Sequence, residues 1–326
     1  MWTPIRGRIS MRLHFSIVIP LYNRAGEIVR AVASVLAQDF ADYEVILVDD
    51  GSTDDGIARV RRAFSDPRIT IVSHQRNRGV CPARNTGVAK ASAEWVVLLD
   101  SDDELVPGGL GILSRYTEKA ASGIGRIACS YRLDDGSLSL DSPPGGMHLD
   151  YAGFIQWTEA ARRTQFNNCI RRRTFERVRF PDTRAYETIY HLDFAQHYDT
   201  WLLQDVVALE HSDARNRAPN LNLSQRAAKL LRDAPDYQRS MEMILARHGD
   251  ALRRLAPRRW ALYNRMLILL ALVSGRRTHG WQHAVAYARE SKWQWDVVAA
   301  IALSCLGRTP LAWVYCWSRM LQAKAL

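Results

Sequence analysis

Cysteine is scarce in this chain, with five among 326 residues, at Cys81, Cys129, Cys169, Cys305 and Cys316. Their number is odd, their spacing is wide and no Cys-x-x-Cys pair occurs. This argues against a disulfide framework and against a structural zinc site. Long apolar runs are missing too. The stretch Trp260 to Val273 is interrupted by Asn264 and Arg265, and Val297 to Leu306 is closed by Gly307, Arg308 and Pro310. Neither reaches the ~20 apolar residues that a bilayer-spanning helix needs. Residues Met1 to Leu13 carry arginines but no apolar segment of the secretory kind, so no secretory signal is expected. No internal repeat or low-complexity tract is present. The expected location is therefore the cytoplasm. What remains is ordinary for a folded protein: 47% hydrophobic and 24% charged residues, enough chain for one large core or two smaller ones.

Charge is unevenly distributed. The formal net charge is +10, yet residues 225–326 alone hold 17 Lys or Arg against 6 Asp or Glu. The rest of the chain holds 27 basic and 28 acidic residues and is nearly neutral. This shift marks a composition boundary near residue 220, where Arg217-Ala218-Pro219-Asn220 reads as a loop. A basic tail suits an anionic partner, such as a membrane surface. It carries no nucleic-acid recognition motif, so nucleic acid is not expected as a partner. From Gln225 onward the pattern is helical. It reads either as a small bundle packed on the preceding domain or as a membrane-surface region. Trp281, Trp293, Trp295, Trp313 and Trp317 beside arginines suit the second case.

The N-terminal two thirds alternate apolar runs with helical periodicity. Phe15 to Ile19, Glu44 to Val48, Arg68 to Val72 and Trp95 to Leu99 read as strands. Ala25 to Gln38, Asp54 to Phe64, Pro82 to Ala91 and Pro107 to Ala120 read as helices, and Ile127 to Tyr131 as a further strand. Such alternation predicts a mostly parallel sheet with helices on both faces. Three of the strands end in chemically dense segments: Pro20-Leu21-Tyr22-Asn23-Arg24, Asp49-Asp50-Gly51-Ser52 and Asp100-Ser101-Asp102-Asp103. The C-terminal strand edge is where open α/β sheets place their ligands. Carboxylates crowded there repel one another unless a cation or proton joins them. A hard divalent ion that itself holds phosphates fits that need. The plain alternative is a set of polar turns and helix caps.

Four segments in this order, SIVIPLYNR, VILVDDGSTDD, NRGVCPARNTGVAKA and VVLLDSDDE, resemble the family 2 inverting glycosyltransferases of the GT-A fold, of the bacterial cell-envelope and exopolysaccharide type. The likeness is strong over residues 14–110 and fades by about residue 215. It implies a GT-A nucleotide-sugar-binding domain over 14–220, with a basic helical C-terminal region over 221–326. It further implies that Pro20, Tyr22 and Asp50 form the nucleobase pocket, that Asp100 or Asp102 holds the ribose, and that Asp102 and Asp103 face Mn2+ or Mg2+. Asp50 is suited to accept from an imide N–H such as that of uracil, which favours a UDP-linked donor. Tyr22 offers a face for stacking. Arg84 offers a planar cationic fork for phosphate or base, or else an ion pair with Asp49 or Asp50. His211, after the apolar run ending at Ala208, is a further metal-ligand candidate or a structural histidine.

The resemblance breaks at the catalytic base. Family members commonly carry a Glu-Asp pair about eighty residues beyond the metal motif, and the second acid takes the acceptor proton. The corresponding text here is Glu187-Thr188, and a threonine hydroxyl is no base near pH 7. Either Glu187 is the base, with His191 and Asp193 as outsiders, or transfer activity is lost or altered. The expected function is metal-dependent inverting transfer from a nucleotide sugar to a hydroxyl of a cell-envelope glycan or lipid-linked acceptor, with the basic tail suited to peripheral contact at the inner face of the membrane. The alternative is a nucleotide-sugar-binding protein without that activity. A nucleotidyltransferase is disfavoured because Pro20 to Arg24 lacks the Gly-rich, Arg- and Lys-containing loop that holds a triphosphate.

Overall fold

β-Branched and aliphatic residues in short runs, separated by periodic helices, build the first half of the molecule. The computed structural model describes residues 13–182, 186–211, 222–290 and, beyond them, 298, 301, 302, 305, 307–312 and 314–316. Strands β1 (Phe15–Leu21), β2 (Tyr43–Asp49), β3 (Ile69–Ser73) and β4 (Trp95–Leu98) alternate with helices α1 (Ile28–Leu36), α2 (Gly56–Ala63) and α3 (Val80–Lys90). They pair in parallel in the order β3-β2-β1-β4. Side chains alternate across this sheet as the two-residue period of a strand requires. Ile17, Ile19 and Leu47 pack with Val32 of α1 on one face. Val18, Ile46 and Val48 pack with Cys81 and Ala83 of α3 on the other.

The parallel pairing expected for the sheet holds through this half, and beyond it the sheet becomes mixed. The chain continues through β5 (Glu104–Leu105), α4 (Gly109–Thr117), β6 (Ile124–Leu133), β7 (Met147–Leu149), α5 (Tyr151–Ala160), β8 (Asn167–Arg171), a 3-10 turn at Arg172–Glu176, α6 (Thr188–Ala195) and β9 (Asp199–Glu210). β8 inserts antiparallel between β4 and β6, and β9 pairs parallel with β6 but antiparallel with β5 and β7. The result is one mixed nine-stranded sheet. The short strands β5 and β7 were not foreseen, because two or three residues show no period.

Among the described residues the helical region contains α7 (Leu223–Leu255), α8 (Pro257–Val273) and α9 (Arg277–Glu290). α7 opens with a reciprocal cap: Gln225 N donates to Asn222 Oδ1, and Asn222 N donates to Gln225 Oε1, both at 2.9 Å. Met241, Ile244 and Leu252 of α7 and Leu267, Ile268 and Leu270 of α8 share a core with Phe154 and Trp157 of α5 and Leu192 of α6. A buried polar link reinforces it. Tyr151 Oη lies 2.8 Å from His248 Nδ1, and His248 Nε2 lies 3.0 Å from Asp193 Oδ1. The region therefore packs on the sheet domain as a bundle. Among the described residues no helix is long and apolar enough to cross a membrane. Of the tryptophans noted above, Trp281 is exposed, while Trp293, Trp295, Trp313 and Trp317 lie outside the described residues, as does the loop at Arg217 to Asn220.

Candidate active site

The strand-end motifs interlock through their own hydrogen bonds. Asn23 takes a positive φ of 52°, which asparagine tolerates better than most residues. Its Oδ1 accepts from Thr53 N at 2.8 Å, while its own N–H donates to Ser52 Oγ at 3.1 Å. The ends of β1 and β2 are thus tied together. Gly51, at φ +73°, lets the Arg76–Asn77 backbone come so close that a Cβ would lie 2.6 Å from Arg76 C. That approach brings the loop before α3 onto Asp50. Arg78 N and Gly79 N donate to the Asp50 carboxylate at 3.0 and 2.7 Å, and His74 Nδ1 lies 2.6 Å from its Oδ1. Asp50 lines the cavity, but its oxygens are engaged internally. It shapes the pocket through the loop that it holds while still bordering the cavity. His74 was not foreseen, because nothing in its local text singles it out.

One cavity of about 840 Å³ opens over these strand ends. Its lining includes Pro20, Tyr22, Asp50, Gly79, Arg84, Asp100, Asp102 and Glu187. Tyr22 is 41% exposed, so a ring face is free for stacking. The expected metal pair, Asp102 and Asp103, differs in its relation to the cavity. Asp102 lines the cavity at 5% exposure, and Asp103, 1% exposed, is outside its lining. Of the acidic run after β4, Asp100 and Asp102 border the cavity. Arg24 Nη2 stands 3.5 Å from Asp102 Oδ2, a cation already drawn to that carboxylate.

Arg84 is not paired with Asp49 or Asp50. Its Nη2 donates to Asp100 Oδ1 at 2.8 Å, and its Nη1 lies 2.6 Å from Glu187 Oε2. Burial works to lower its pKa, yet Glu187 and Asp100 outweigh burial and hold it well above the ordinary arginine value. Glu187 sits at the N-terminal boundary of α6 and makes no capping bond to its own helix. The segment leading to it is tethered to α3. Asn85 Nδ2 donates to Phe180 O at 2.8 Å and Phe180 N returns a bond to Asn85 Oδ1 at 3.1 Å, while Arg78 Nη2 donates to Asp182 Oδ1 at 2.7 Å.

The other candidate bases are placed elsewhere. His191 accepts at Nδ1 from the buried Arg126 at 2.9 Å, and burial together with Arg126 pushes its pKa well below the usual value. Asp193 is held by Arg247 at 2.5 Å and by His248. His211 lies 2.7 Å from Glu104 Oε1 and 3.5 Å from Asp134 Oδ1. None of the three lines the cavity. The sequence reading missed another wall altogether. Gln165 and Glu210, bonded at 2.6 Å, and Gln225, Lys229, Arg232, Asp233 and Tyr237 of the α7 helix line the same space. Tyr237 stacks on Tyr186, the residue before Glu187, with ring centroids 4.3 Å apart.

A divalent cation meets a fitting donor set here. Asp100 and Asp102 offer hard oxygens into one cavity, and Mg2+-type ions are commonly held by one or two carboxylates plus substrate phosphates. Among the described residues no three His, Cys, Asp or Glu side chains form a closed metal cage. The fit is thus to an ion that shares its ligands with a bound phosphate group.

Residues 16–177 match the family model described as Glycosyl transferase family 2. The succinoglycan biosynthesis protein ExoO of Rhizobium meliloti (strain 1021) is 42% identical over 129 residues, covering 38% of this chain and 36% of that protein. The GalNAc(5)-diNAcBac-PP-undecaprenol beta-1,3-glucosyltransferase of Campylobacter jejuni subsp. jejuni serotype O:2 is 33% identical over 138 residues, covering 41% of this chain and 44% of that protein. The matches thus span less than half the length of these curated relatives. In fold, the chain resembles the mannosyltransferase PcManGT from Pyrobaculum calidifontis, solved in complex with GDP-Man and Mn2+. The TM-score is 0.56 at 19% identity, over 94% of this chain and 86% of that one.

Proposed function

As the chain belongs to glycosyl transferase family 2, we propose that it transfers a sugar, with inversion, from a nucleotide sugar to a hydroxyl of a cell-envelope glycan or lipid-linked saccharide. The observation that carries this reading is a single cavity shared by the nucleotide motifs, the acids Asp100 and Asp102, and Glu187. The names of the curated relatives support the acceptor class. A UDP-linked donor stays the working choice. Pro20 and Tyr22 would hold the nucleobase against the loop organised by Asp50. Asp100 would take the ribose, and Asp102, with Asp100, would hold Mn2+ or Mg2+. When bound, the ion would offset charge growing on the departing diphosphate.

The chain's own part is positioning and proton transfer. The acceptor oxygen attacks the anomeric carbon as the bond to the diphosphate breaks, and its proton passes to Glu187. Inversion follows from a single displacement. The helical region lines the cavity opposite the strand ends with Lys229, Arg232 and Tyr237, which would meet an acceptor. Its basic surface would keep the enzyme at the inner, anionic face of the membrane.

The test is product formation with a panel of nucleotide sugars and lipid-diphosphate-linked or free saccharide acceptors, with and without Mn2+. Transfer abolished by Glu187→Gln supports the reading. Nucleotide-sugar binding without turnover under any of these conditions favours the alternative of a binding protein, which the threonine at position 188 motivates.

A further inference from the structure

Arg84 stands between two carboxylates that would serve different steps of one reaction. It is 94% buried, lines the cavity and donates from Nη2 to Asp100. On its other side the 2.6 Å contact of Nη1 with Glu187 lacks hydrogen-bond alignment, and Nε has no hydrogen-bond partner. A buried guanidinium with unaligned donors is incompletely satisfied. A diphosphate presents several charged oxygens to a planar fork and would satisfy those donors better than one carboxylate oxygen does.

We infer that Arg84 is a shared cation for which Glu187 and the diphosphate of the donor compete, so that donor binding releases Glu187 to act as base. The inference rests on the transferase reading above. With the cavity free of donor, Glu187 Oε2 is held 2.6 Å from Arg84 Nη1. Once the diphosphate takes the guanidinium, the carboxylate is freed beside Tyr186 and Tyr237, on the side of the cavity walled by α7. The bonds then balance as in a single displacement. The acceptor oxygen joins the anomeric carbon, the electron pair of the broken bond leaves on the diphosphate, and the acceptor proton ends on Glu187. The donor must bind before the acceptor can be deprotonated.

Calorimetry with UDP, GDP, ADP and dTDP in the presence of Mn2+ tests the competition without any acceptor. Glu187→Asp keeps the charge but draws the carboxylate back by one methylene, and Glu187→Gln removes the charge. Each should tighten binding of the preferred diphosphate by about three- to tenfold, the gain expected when an internal competitor occupying most molecules is removed. In an Arg84→Met background both gains should vanish. Unchanged affinity in both Glu187 variants overturns the inference. A gain in Glu187→Gln alone, or one that persists with Arg84→Met, marks simple charge repulsion and overturns it equally. If Arg84→Met does not fold, the contrast between Glu187→Asp and Glu187→Gln still decides. Failure of the wild-type protein to bind any of the four diphosphates strikes at the transferase reading itself, whereas binding indifferent to Glu187 strikes only at the competition.

Discussion

The two walls of the cavity are built by different means. One is made of strand ends: Pro20 and Tyr22 at β1, Asp50 after β2, and Asp100 and Asp102 after β4, on neighbouring strands in parallel register. The other is one face of α7, where Gln225, Ala228, Lys229, Arg232, Asp233 and Tyr237 recur at mainly three- and four-residue steps. On the first wall, sheet geometry gathers short contiguous motifs into one place. On the second, each residue is isolated in the text, and only the docking of the helix brings it to the site. The contrast teaches that the nucleotide side of such a cavity is a local property of the chain, while the opposite side depends on long-range packing. Between them Asp100, Arg84 and Glu187 form the bridge.

The sharpest way to break this division is at the bridge. Glu187→Gln should lower turnover by about 10²–10⁴-fold, the usual contribution of a general base, measured with a verified donor and acceptor. Full turnover in that variant would remove the base from α6. A second test concerns charge, since the strand-end half is nearly neutral and residues 225–326 hold the basic excess. Co-sedimentation with anionic vesicles should fall by about two orders of magnitude between low and high salt, given ~1 kcal/mol for each basic residue near the surface. No binding at low salt would leave the helical region with a purely structural role.

Asp102→Asn should weaken nucleoside diphosphate binding about tenfold or more in the presence of Mn2+ and much less without it, because it removes a ligand charge while keeping the shape. Asp103→Asn should instead lower the melting temperature with little change in metal-dependent binding, since its side chain is buried off the cavity. Equal effects of the two variants would support the adjacent pair as the metal site. The smallest effect is expected on α7. Replacing Lys229 and Arg232 by Ala should raise the KM for the acceptor by about three- to tenfold and leave nucleotide affinity unchanged. Both cations are partly exposed and already share Asp233, which limits their worth. A matching loss of nucleotide affinity would assign this wall to the donor.

Much of the fold was legible because its elements carry a strong period. The ends of α1, α2 and α3 fall within a few residues of their expected positions, and β1, β2 and β4 are close to the apolar runs that announce them. The antiparallel insertion of β8 was not legible. Asn167–Arg171 has no alternation, and its neighbours β4 and β6 are far away in sequence. At the site, Tyr22, Arg84, Asp100, Asp102 and Glu187 were singled out by motif and do meet in one cavity. That Asp103 lies outside the cavity lining was not legible, because a run of adjacent acids does not say which of them borders a cavity.

By itself, the sequence determined the strand-end chemistry of this protein. Glycine, asparagine and aspartate at fixed offsets from apolar strands dictate local turns, and parallel pairing of those strands brings the turns together. Only the tertiary structure decided the partners across the cleft: that Arg84 faces Glu187 rather than Asp49 or Asp50, that His74 braces Asp50, and that α7 closes the far side. These contacts join residues that are 103, 24 and more than 120 positions apart. No local preference specifies such pairs, because they follow from how whole helices bury their apolar faces against the sheet.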